Sequence, residues 1–142
     1  MKIANQRLAS KVFGAGKGPT HLVLLLTTTG RKSGLPRVTP LQFEAVDGLI
    51  YVASARGQEA DWFRNIVVDP RVHVQTQERQ FDGFAEPITD PSRIAGFLET
   101  RLHRHPVMLR LLLLLEGLPW NPDHARLERF AQGKALVMIR PE

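Results

Sequence analysis

The chain has 142 residues, 43% of them hydrophobic and 23% charged, with no cysteine and a formal net charge of +5. That length suits a single domain spanning residues 1–142, with enough chain to bury a core. The lack of cysteine excludes disulfides, thiolate metal sites and a thiol nucleophile. The positive charge is concentrated early. Residues 1–57 hold eight Lys/Arg against Glu44 and Asp47, whereas residues 58–142 hold eleven against twelve acids. A basic first part points to an anionic partner, whether a phosphorylated cofactor, nucleic acid or an acidic membrane, with a solvated basic face as the competing reading.

In chain order, Ala4 to Phe13 reads as a short amphipathic helix through Leu8, Val12 and Phe13, broken by the Gly14–Pro19 loop. No leader-type apolar stretch is visible at the start, and no run is long enough to span a bilayer, which fits a cytoplasmic location. Thr20 to Thr28 is rich in Leu, Val and Thr and predicts a strand buried on both faces. After the glycine-bounded loop Gly30–Gly34, Arg37 to Ala45 alternates as a strand. Asp47-Gly48 predicts a tight hairpin turn, and Leu49 to Ser54 returns. Gln58 to Val68 predicts a helix with Trp62, Ile66 and Val67 at helical spacing, stopped by Asp69-Pro70.

Val72 to Thr76 and Phe81 to Ala85 predict two more strands, with Phe81 and Phe84 on opposite faces. Helices follow over Pro91–His103, Pro106–Leu115 and Pro122–Ala131, each opening near a proline. Ala135 to Ile139 closes the chain as a strand. The longest apolar run, Leu111–Leu115, is flanked by Arg110 and Glu116. It reads as a helix buried in the core or at a subunit interface, which makes a homodimer plausible. Hairpins dominate and no β-α-β-α alternation occurs, so the expected class is α+β. Its core is a mostly antiparallel barrel of about six strands with helices packed outside.

Three segments carry candidate chemistry. In Gly30-Arg31-Lys32-Ser33-Gly34 the glycines let successive N–H groups turn inward, while Arg31, Lys32, Ser33 and nearby Arg37 supply charge and a hydroxyl. An exposed basic turn is the competing reading. Val52-Ala53-Ser54-Ala55-Arg56-Gly57 puts small residues at a strand exit, where a flat ring can approach the backbone. Asp61-Trp62-Phe63-Arg64-Asn65 offers Trp62 as a core anchor and Asn65 as a bonding group toward a loop or a ligand. Several lures fail. Gly14-Ala15-Gly16-Lys17 lacks the spacing of a phosphate loop, and there is no G-x-S-x-G. His103 and His105 have no evident carboxylate partner and suggest surface or capping roles, not a metal site.

Leu24 through Leu41, with Thr29-Gly30-Arg31-Lys32-Ser33-Gly34-Leu35-Pro36-Arg37 at its centre, resembles the signature of the deazaflavin (F420)-dependent nitroreductase and quinone reductase family. Val52–Gly57, Asp61–Ile66 and Asp69–Val74 follow in that family's order. The resemblance covers about residues 20 to 88. It implies a split β-barrel like that of FMN-binding proteins and a coenzyme F420-type cofactor. The reduced cofactor would deliver a hydride to a quinone, nitro compound or activated alkene. It places Arg31, Lys32, Ser33, Gly34 and Arg37 at the phosphate end, with Thr39 and Pro40 along the ring. Ser54, Arg56 and Gly57 would sit near the ring's polar edge or the tail, and Trp62 and Asn65 would close the site. FMN or FAD is the alternative cofactor.

Arg56-Gly57 stands where many members have two glycines, and a leucine-rich segment replaces the usual C-terminal tyrosines. A non-enzymatic cofactor carrier and a nucleic-acid-binding barrel are the rival functions. Aromatic content of 7% argues against a stacking surface for single strands.

Overall fold

The structure is a computed structural model that describes residues 23–54 and 56–142. The expected helix over Ala4–Phe13 and the Gly14–Pro19 loop lie outside the described residues. One seven-stranded sheet, every neighbouring pair antiparallel, runs in the order β2-β1-β5-β6-β7-β4-β3. Its strands are β1 Val23–Thr29, β2 Pro36–Gln42, β3 Glu44–Val46, β4 Leu49–Ser54, β5 Arg71–Gln75, β6 Gln80–Ile88 and β7 Ala135–Pro141. Helices α1 Asp61–Val68, α2 Pro91–Arg104, α3 Pro106–Leu115 and α4 His124–Ala131 complete the described fold.

The strand order itself requires a barrel. β2 and β3 occupy opposite edges of the sheet, yet only Phe43 separates them in the chain. One residue can join two edges only if the sheet curls until they meet. The sequence predicts a single strand over Arg37–Ala45. Instead the chain breaks at Phe43, so seven strands replace the expected six or so. Phe43 packs against the core. Asp47 and Gly48 both take positive φ, 52° and 80°, the geometry that closes a two-residue hairpin between β3 and β4.

Alternation along the strands divides the core. Ala135, Val137 and Ile139 of β7 join Leu24, Leu26, Val52, Phe63, Ile66, Val72 and Val74 inside the barrel. Leu136 and Met138 point the other way, toward Ile88, Ile94, Phe97 and Ala131. Phe81 packs on the interior cluster while Phe84 is exposed, so the two do face opposite sides.

Helix boundaries follow local chemistry. The expected helix over Gln58–Val68 begins instead as a 3₁₀ turn, Gly57–Glu59, and Ala60 in extended geometry separates it from α1. Asp90 caps α2 by accepting from the Ser92 amide, with Pro91 in the first turn. Helix α4 starts at His124, not Pro122, because Asp123 is its cap and accepts from the Arg126 amide at 2.9 Å. Two further expectations need correction. Of the run Leu111–Leu115 only Leu113 is buried, which corrects the core alternative for this run. His105 does have a carboxylate partner: its Nε2 lies 3.2 Å from Glu44 of β3, which also receives Arg104 at 3.3 Å.

Candidate functional site

The turn between β1 and β2 is built by its own bonds. The Gly30 amide donates to Leu35 O, and Gly34 N, at a φ of 71°, donates to Gly30 O, each at 2.8 Å. The Leu35 amide donates to Ser33 Oγ at 3.1 Å. With Arg31 N also engaged, only the amides of Lys32 and Ser33 in this loop lack an acceptor among the described residues. The anion cradle expected from the glycines therefore narrows to two amides.

Asn65 of α1 ties the loop to the barrel. Its Oδ1 accepts from the Arg31 amide at 3.1 Å and from Arg31 Nη1 at 2.8 Å, and its Nδ2 donates to Thr28 Oγ1 at 3.1 Å. The Arg31 guanidinium also donates to Asp61 O at 3.3 Å and to Asp61 Oδ1 at 3.0 Å. Asn65 and Thr28 are buried, so a carboxamide that donates at one end and accepts at the other satisfies groups that would otherwise be costly to bury. The Arg31 guanidinium beside Asp61 holds that exposed carboxyl below the usual aspartate range.

Between the loop, β2 and α1 lies a cleft of about 650 Å³, within the size range of small-molecule and cofactor sites. Of the residues singled out from sequence, Arg31, Lys32, Ser33, Arg37, Thr39, Trp62 and Asn65 line it. Arg37 pairs with Thr28 and Thr39 with Leu26, on the face that looks into the barrel. Val38 and Pro36 line the cleft as well, and Pro40 pairs with Leu25. Trp62 is 8% exposed and serves both the core cluster and the cleft wall.

Lys32 and Arg37 are exposed and have no carboxylate partner among the described residues. Gly34, Pro40, Ser54, Arg56 and Gly57 are not among the lining residues. Ser54 is buried, and its hydroxyl donates to Gly57 O at 2.7 Å.

Asp61 and Thr28 escaped the sequence reading. Asp61 stands at the first position of α1, where an acid reads simply as favourable to the helix N-terminus. Thr28 sits within Thr27-Thr28-Thr29, where nothing local separates the bonded hydroxyl from its neighbours.

The cleft lining combines Lys32 and Arg37, which have no carboxylate partner among the described residues, with two free amides, the Ser33 hydroxyl, Thr39, Trp62 and the Arg31-bound Asp61. That donor set fits an anionic ligand. An F420H(2)-dependent quinone reductase of Mycobacterium tuberculosis is 34% identical over 88 residues, covering 59% of this chain and 55% of that protein. The chain thus spans about half the length of the curated relatives it matches. A solved F420-H2 dependent reductase (FDR-A) has the same fold, with a TM-score of 0.55 at 18% identity, covering 84% of this chain and 94% of that one. A structure described as a domain-swapped dimer has a TM-score of 0.57 at 17% identity, covering 95% and 92%. The family model for F420H(2)-dependent quinone reductase matches residues 4–106, a stretch that contains the whole cleft, and the chain belongs to that family.

Proposed function

We propose that this chain is an oxidoreductase that binds a reduced F420-type deazaflavin in the cleft and reduces a small acceptor such as a quinone, nitro compound or activated alkene. The observation that carries the reading is the pair Lys32 and Arg37, two cations without a carboxylate partner among the described residues, on one cleft within the family-matched segment. When bound, the cofactor supplies the hydride. The protein's part is binding and orientation. Lys32, Arg37, the Ser33 hydroxyl and the Lys32 and Ser33 amides hold the acidic tail. Thr39 and the Trp62 edge bound the ring, and Asn65 and Arg31 fix the loop that carries the tail contacts. Hydride transfer depends on close, angled contact, so positioning is the main contribution required of the protein.

The proton that accompanies reduction comes from water in this reading. The Ser54 hydroxyl is committed to Gly57 O, and Asp61, held ionised by Arg31, is no acid near neutral pH. The finer expectations of a cytoplasmic location and a homodimer rest on the cysteine-free composition and on the dimeric description of one protein of this fold.

Titration of the purified full chain with F420, FMN and FAD tests the assignment, followed by loss of reduced-deazaflavin absorbance in the presence of a quinone. Micromolar binding that favours F420, with turnover, is the expected result. Preference for FMN or FAD moves the chain to the flavin alternative, and binding without turnover makes it a carrier. Absence of micromolar binding to all three overturns the reading.

A further inference from the structure

Helix α3 is apolar on the side that faces away from the protein. Only Leu109 and Leu113 enter the core. Val107, Met108, Leu111, Leu112, Leu114 and Leu115 are all exposed, Leu115 to 86%. At about 100° per residue these six fall on one arc opposite the buried pair. Trp120, in the segment that follows, is exposed as well. A surface helix ordinarily puts charged or polar groups on that arc, and a contiguous apolar patch of this kind marks an interaction site. The helix begins where the family match ends, at residue 106. The patch is therefore an addition to the part of the chain that carries the cleft.

Charge identifies the occupant. Beyond α3 the chain runs into a hollow of about 400 Å³ lined by Leu118, Pro119, Arg126, Arg129 and Phe130. Arg126 and Arg129 lie three residues apart on α4, both exposed and neither with a carboxylate partner among the described residues. Between residues 101 and 134 six Lys/Arg stand against Glu116, Asp123 and Glu128, and Glu44 of β3 pairs with Arg104, so the segment keeps a net positive charge.

An outward leucine face, followed in the chain by an exposed tryptophan and by exposed arginines on α4, matches a lipid surface with anionic headgroups. Leucines enter the acyl boundary, the indole sits at headgroup level, and guanidinium groups meet phosphates. A second copy of the chain matches poorly. A two-fold contact pairs the patch with itself, so it covers the leucines while bringing together two net-positive segments.

We propose that α3, with Trp120, Arg126 and Arg129, is an interfacial anchor that docks the protein on an anionic lipid surface. It lies on the bilayer without crossing it, because ten residues of helix span about 15 Å.

Flotation of the full chain with vesicles tests this, comparing phosphatidylcholine alone with an equimolar mixture containing phosphatidylglycerol. The protein is expected to float with the anionic vesicles, far less with the neutral ones, and less as salt is raised. Leu111→Glu with Leu115→Glu lowers the partition by about tenfold or more. Arg126→Gln and Arg129→Gln each lower it about fivefold and reduce the preference for phosphatidylglycerol. All four side chains point to solvent, and unchanged thermal melting verifies that the variants fold. Failure to float, equal binding to both vesicle types, or binding indifferent to the leucine substitutions overturns the proposal. So does a leucine-dependent dimer in sedimentation velocity without vesicle binding. No cofactor enters the assay, so a negative result leaves the reductase reading standing.

Discussion

Asn65 holds Arg31 twice, its single Oδ1 accepting from both the backbone amide and the guanidinium, at 3.1 and 2.8 Å. This makes Arg31 a brace for the β1–β2 turn more than a hand extended to a ligand. Asn65→Ala would leave the buried Thr28 hydroxyl without its donor and release the turn. We expect a loss of about 1–3 kcal/mol in urea denaturation, together with weaker deazaflavin binding. Weaker binding at unchanged stability would show that Asn65 touches the cofactor directly.

Lys32 and Arg37 should behave differently from Arg31. Lys32→Ala and Arg37→Ala are each expected to weaken F420 binding by about 1.5 kcal/mol, roughly tenfold, with melting unchanged and a shallower salt dependence of Kd. Arg31→Ala should lower both affinity and melting temperature. Fluorescence titration at two salt concentrations, beside thermal melts, separates the two patterns.

Asp61→Asn should tighten binding of the anionic cofactor at low salt. The substitution removes a negative charge from the cleft lining and weakens its hold on the Arg31 guanidinium. The carboxyl titrates below the usual aspartate value of 3.8 because Arg31 hydrogen-bonds it. Whatever stability the pair contributes is present above that value and disappears as pH falls through the lowered one. At neutral pH, therefore, the wild-type cleft always carries this charge. Unchanged or weaker affinity in the variant would mean that Asp61 assists binding.

Gly57→Ala tests the approach between the β4 exit and the loop before β7. Gly57 has a φ of 61°, and a Cβ there would sit 2.6 Å from Gly133 O. The left-handed conformation and the backbone collision together should cost at least about 2 kcal/mol in denaturant unfolding. A near-neutral result would show that the two loops separate easily.

His124 supplies a pH prediction away from the cleft. A hydrogen bond to Glu99 raises its pKa above the ordinary 6.5, with Glu128 adding attraction. A raised value means the charged form is favoured in the folded protein. The contribution is fully present below 6.5 and fades as pH climbs through the raised value. NMR titration of the imidazole should show the upward shift, and Glu99→Gln should shrink it.

Much of this architecture was legible because it is written in short-range patterns. The Asp47-Gly48 turn, the Leu-rich β1 and the proline-headed α2 and α3 each follow from two or three adjacent residues. The break at Phe43 was not legible. Arg37–Ala45 has the composition of one strand, and only sheet closure, a long-range event, divides it. The cleft shows the same limit. Sequence displays the charge of Arg31 and conceals Asp61 and Asn65, 30 and 34 residues away, which engage it. The exposure of Leu111, Leu112, Leu114 and Leu115 was equally hidden, since a run of leucines reads as core whichever side it faces.

The place of β7 has a consequence for how the molecule comes into being. The last strand of the chain lies between β6 and β4 near the middle of the sheet. On a ribosome, the β3–β4 hairpin is therefore made early and must wait for the final segment before it gains its second neighbour. Such distant pairing favours slow acquisition of the native state. Until β7 emerges, the edges of β4 and β6 stand open to mispairing.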